Sequence, residues 1–139
     1  MKVKLQEVLE ALDGAGVDME YYYDTKNEEI LMIFDGMVNG ETDPELIEDI
    51  EEGFIEGYIP LPRQYDMNEY RMMEEFIYDL PAGAQDVLDA AIRGKGAFRR
   101  FKDRLYDFDL QEKWYKYRDD CYEQIARDWC ERFGIEIEE

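Results

Sequence analysis

The stretch that most constrains the fold is the run from about Leu110 to Phe133. Trp114, Tyr117, Cys121 and Ile125 recur along one line of a helix, while Tyr122, Ala126, Trp129 and Phe133 recur along another. An ordinary surface helix carries one apolar stripe, so two stripes on a long helix call for packing on both sides. This predicts a central C-terminal helix around which the rest of the chain is arranged.

The preceding pattern supplies what would pack there. "VKLQEVLEALDGAG" sets Val3, Leu5, Val8, Leu9 and Leu12 at helical spacing and ends in glycines that suit a helix terminus. Two β-rich runs, Asp18 to Tyr23 and Glu28 to Phe34, flank the polar turn "DTKN" and predict a hairpin. Alternation sends Tyr21 and Tyr23 to one face and Tyr22 to the other. Thr42 or Asp43 then caps a helix with Pro44 in its first turn and Leu46, Ile47, Ile50 and Phe54 on one side. The segment 60–65 reads as a Pro-rich extended connector between an N-terminal part, 1–59, and a helical part, 66–139. Within the latter, Tyr70, Met73, Phe76, Ile77 and Leu80 form a stripe that Pro81 stops, a short helix closes at Gly94, and Phe98, Phe101 and Leu105 line one side of the next helix. The expectation is an α+β chain folding as one domain over 1–139. It consists of a short N-terminal helix, a β-hairpin and then a mainly helical assembly.

Charge decides which functions this fold can serve. The chain of 139 residues carries 36 acids against 16 bases, a formal net charge of -20, yet 45% of it is apolar, enough for a folded core. Residues 1–92 hold 24 acids and 5 bases, residues 93–118 hold 9 bases and 4 acids, and residues 119–139 hold 8 acids and 2 bases. The chain is therefore electrically segregated along its length.

Histidine and serine are absent, and Thr25 and Thr42 are the only threonines, which excludes serine nucleophiles, histidine bases and imidazole metal sites. "GKGA" lacks the spacing and the Ser or Thr of a phosphate-binding Walker loop. No stretch has the acid and glycine spacing of a calcium loop, and the neighbouring pairs Glu74–Glu75 and Asp119–Asp120 sit about 100° apart on a helix, so they do not converge on one ion. No catalytic residue, cofactor or metal site is expected. Cys121 and Cys130, nine positions apart on one helix, stand about 13 Å apart and predict free thiols. Together with the lack of a signal peptide or membrane span, this points to the cytoplasm.

Two segments are candidates for binding. Glu45, Glu48, Asp49, Glu51, Glu52 and Glu56 are expected around the solvent side of one helix. They read either as a solvated face or as a polyanion surface that imitates nucleic-acid phosphates and engages a basic protein. The basic segment offers Arg93, Lys95, Arg99, Arg100, Lys102 and Arg104. Three readings stay open there: internal neutralisation of the acidic helices, a phosphate or nucleic-acid site at a helix start, and a docking patch for an acidic protein. The preferred expectation is a non-enzymatic regulatory protein whose acidic face binds the basic surface of a nucleic-acid-handling protein, as a DNA mimic or inhibitor. Nucleic acid bound directly through 93–118 is the alternative. Nothing in the pattern fixes an oligomeric state.

"YYYDTKNEEILMIFD", "IPLPRQYDMNEYRMMEEFI", "AIRGKGAFRRFKDRL" and "KWYKYRDD", followed by "IARDWCERFGI", occur in that order. Through these blocks the chain resembles a small family catalogued only as Uncharacterised Protein Family number zero one five eight. The resemblance implies a cytoplasmic bacterial or phage-borne protein, assigns it no activity and carries over no catalytic residue. "DTKN" stands where a Thr-Gly turn is associated with such proteins.

Overall fold

A computed structural model describes residues 1–16, 18–54 and 56–139. The chain divides into two compact units, Met1–Met67 with Tyr122–Glu139, and Asn68–Cys121.

The first unit opens with β1 (Lys2–Lys4), which runs directly into α1 (Leu5–Gly14). Val3 thus belongs to a strand and not to the helix that its spacing suggested; it is buried where β1 pairs in parallel with β7 (Glu136–Glu138). The hairpin strands are β2 (Met19–Asp24) and β3 (Glu29–Phe34), with Tyr22 opposite Leu31 and Tyr23 opposite Ile30. Their turn needs no glycine because the buried Asp24 carboxylate builds it. That carboxylate accepts the backbone N–H groups of Lys26 at 2.9 Å and Asn27 at 3.2 Å, and the Asn27 side-chain amide at 2.9 Å. Glu28 takes the left-handed position, at φ 52°.

β4 (Met37–Val38), β5 (Glu41–Thr42) and β6 (Tyr58–Pro60) complete a sheet which, among the described residues, has the order β5-β4-β3-β2-β6. The prolines expected in a connector begin inside this sheet: Pro60 pairs opposite Tyr22 on an edge strand, where its missing N–H costs no ladder bond. Gln64–Met67 then forms a single helical turn, α3.

Alternation along β2 and β3 gives the sheet two covered faces. Tyr22 and Leu31 cluster with Val38 and with Ile50 of α2 (Pro44–Glu52), and Ile33, Leu46 and Ile47 pack around them. On the opposite face the Tyr23 ring meets Trp129 edge-on at 6.2 Å, and its hydroxyl donates to the Lys2 carbonyl at 2.6 Å. Trp129 lies in α7 (Gln111–Phe133), and its indole N–H donates to the Pro60 carbonyl at 3.0 Å.

The second unit contains α4 (Glu69–Tyr78), α5 (Ala82–Ala91), α6 (Ala97–Asp107) and the start of α7. Its core is aromatic. Phe101 meets Trp114 edge-on at 4.8 Å and Phe76 at 6.3 Å, and Phe76 meets Trp114 at 5.4 Å. Such edge-to-face contacts satisfy the ring quadrupoles while burying large areas. Phe98 departs from the expected core stripe: it stands in the first turn of α6 and is 47% exposed, whereas Phe101, one turn on, is 1% exposed.

Candidate functional site

The acidic candidate is built on α2. Asp43 caps the helix by accepting the Leu46 N–H at 3.1 Å, Pro44 sits in its first turn, and Leu46, Ile47 and Ile50 hold it to the sheet. Burial of that side fixes which residues face water. Glu45, Glu48, Asp49, Glu51 and Glu52 are all exposed on the helix, and none has an ion-pair partner within 4.0 Å among the described residues. Glu56 is also exposed but lies in the turn beyond the helix, because the helix ends at Glu52 and Gly53 accommodates the cap. There is no basic residue in the last turn. Glu51 and Glu52 therefore sit at the negative end of the helix dipole, where a carboxylate is disfavoured.

The basic candidate occupies the loop between α5 and α6, then α6 itself. Gly94 and Gly96 adopt φ +78° and +76°, left-handed positions that open the loop and start α6. Arg100 turns back onto this loop: its guanidinium donates to the Ala91 carbonyl at 2.9 Å and to the carbonyls of Arg93 and Lys95. One side chain thereby satisfies carbonyls at the end of α5 and in the loop, a planar fork that no lysine could reproduce. Its charge is spent on the fold.

Other bases of the segment are paired over one helical turn: Arg93 with Asp89 at 2.8 Å, Arg104 with Asp107 at 3.0 Å and Lys116 with Asp120 at 3.3 Å. The bond to Asp89 raises the Arg93 pKa further. Arg118 and Glu69 form a partly buried pair at 3.0 Å. Among the described residues Lys95, Arg99, Lys102 and Lys113 make no ion pair. The sequence therefore located the basic segment but could not separate Arg100, Arg93 and Arg104, which are engaged, from Lys95, Arg99 and Lys102, which make no ion pair among the described residues.

Three side chains that are not among the candidate binding residues have their proton affinity raised by their surroundings. Burial pushes the Tyr117 phenol up to about 12, with further contributions from Cys121 and Glu75, whose carboxylate it faces at 3.3 Å. Burial likewise raises both thiols, Cys121 and Cys130, which are free. Protonated thiols are poor nucleophiles. Among the described residues no three His, Cys, Asp or Glu side chains gather to hold a metal ion, and no helix is long and apolar enough to cross a membrane.

Comparison with known proteins adds a family and nothing beyond it. No curated protein matches the chain, and no solved structure does. A family model matches residues 1–137, nearly the whole length, a range that contains all the blocks quoted above. On that coverage the chain belongs to the Uncharacterised protein family (UPF0158).

Proposed function

We propose that the protein is a cytoplasmic, non-enzymatic binding protein whose α2 face engages a basic surface on a nucleic-acid-handling protein, occupying it as a polyanion would. The observation that carries this reading is a helix with one side packed into a core and the other carrying carboxylates without an ion-pair partner among the described residues. From Glu45 to Glu52 five carboxylates span about 10 Å of helix, one charge per roughly 2 Å, close to the roughly 1.7 Å per charge of duplex DNA. Glu51 and Glu52 lend independent support. They stand where local helix stability opposes them, and residues that break a local rule are expected at functional positions.

The test is competition. Binding to a basic nucleic-acid-binding protein should be displaced by duplex DNA and lost by about 0.5 M salt, where the screening length is a few Å. Glu51→Gln with Glu52→Gln should weaken that binding while raising the thermal midpoint, a combination that a purely structural role does not produce. Binding that survives both salt and excess DNA would overturn the reading.

A further inference from the structure

The second unit holds a recessed cavity of about 200 Å³ whose wall comes from three helices. α6 contributes Phe98, Phe101 and Lys102; α7 contributes Trp114, Tyr115 and Arg118; α4 contributes Glu69 and Met73. Buried Phe101 and Trp114 form the inner wall, whereas Phe98 and Tyr115 are 47% and 50% exposed on its outer side. Two large aromatic rings from different helices thus meet solvent around one small cavity. A dry cavity of about 150 Å³ accommodates benzene, so this one of about 200 Å³ has room for one planar ring system, fused rings included, with any sugar or phosphate attached to it standing outside.

The charge on the wall narrows the ligand. Arg118 and Glu69 hold each other at 3.0 Å, and their charges offset. Lys102 makes no ion pair among the described residues, and neither do Lys95 and Arg99 nearby in the same segment. A purely apolar ring would gain at most a cation–π contact from that ammonium group, whereas a ring carrying an anionic substituent would gain a stronger charge-assisted contact. We propose that the cavity binds a nucleotide, with the base against Phe98, Tyr115 and Trp114 and the phosphate at Lys102. Every base presents a π-face to such rings, and cations alongside position the phosphate. The base must be unpaired, so the source is a free nucleotide or a single strand and never a duplex. This site does not depend on the acidic face of α2, and either can fail without the other.

The probes are adenosine monophosphate, a short single-stranded oligonucleotide and the same sequence as a duplex. The readout is the indole N–H resonance of Trp114, in the cavity wall, with that of Trp129 as internal control. Saturable movement of Trp114 alone by the nucleotide or the single strand is expected, and whichever saturates at the lower concentration identifies the source. Phe98→Ala and Lys102→Glu, both at exposed positions, should each weaken binding about tenfold or more with the remaining amide spectrum preserved. No Trp114 shift at roughly millimolar ligand in low salt, or a shift that neither substitution weakens, would overturn the site. So would an equal response to duplex.

Discussion

The two compact units solve the same electrostatic problem in different ways. Met1–Met67 with Tyr122–Glu139 carries 24 acids against 6 bases, a net of -18, whereas Asn68–Cys121 carries 12 against 10, a net of -2. In the second unit most pairs lie within one helical turn: Arg71–Glu75, Arg93–Asp89, Arg104–Asp107 and Lys116–Asp120. Exposed pairs of this kind are individually worth little, but they accompany a nearly balanced charge. The first unit cannot do this along α2, which has no base at all, and it folds by packing a sheet on both faces despite the repulsion. Cohesion and net charge are therefore separable here.

The comparison is most easily broken in the aromatic core of the second unit. Phe101→Ala should cost about 3–5 kcal/mol in urea unfolding, since it empties a fully buried site between Phe76 and Trp114. The loss is one of packing, so added salt should not restore it. Rescue by salt would show that electrostatics, not packing, holds this unit.

Arg100→Met keeps an unbranched apolar stem but removes the donors to Ala91, Arg93 and Lys95, and should cost about 1–2 kcal/mol by the same measurement. Arg100→Lys should behave almost as badly, because an ammonium cannot reproduce the fork. A fully stable lysine variant would mean that the charge alone suffices at the loop.

A smaller effect is expected at high pH. The folded state holds the Tyr117 proton up to about 12 against 10.0 for the ordinary phenol. Its contribution is complete below the unfolded value and is lost as pH rises from about 10 towards 12, because the unfolded chain gives up the proton first. Tyr117→Phe should flatten the fall in urea midpoint over that window. An unchanged alkaline slope would remove Tyr117 as its cause.

The helices were legible because their signals are local: Asp43 and Pro44 at a helix start, Gly94 and Gly96 between α5 and α6, and the two stripes of α7. The hairpin was legible from alternation, even without a glycine turn. The parallel pairing of β1 with β7 was not, since three-residue strands at opposite ends of the chain carry no periodicity to read. For the candidate sites, composition located both charged segments. Whether a given arginine binds its own loop, as Arg100 does, or faces water depends on backbone carbonyls that have no sequence signature. The cavity beside Lys102 was hidden for a similar reason. Phe98 fits the apolar stripe of α6, and only the packing of three helices reveals that it lies on the outer side of that cavity.

The central claim is that the first unit bears charge which nothing within it compensates. Amide exchange on the intact protein at about 0.05 and 0.5 M sodium chloride tests this directly, since that change shortens the screening length from well over 10 Å to a few Å. Protection should rise at amides of residues 1–67 and 122–139 and change little at 68–121. Protection that falls with salt in the first unit, or rises equally in both, would contradict the account.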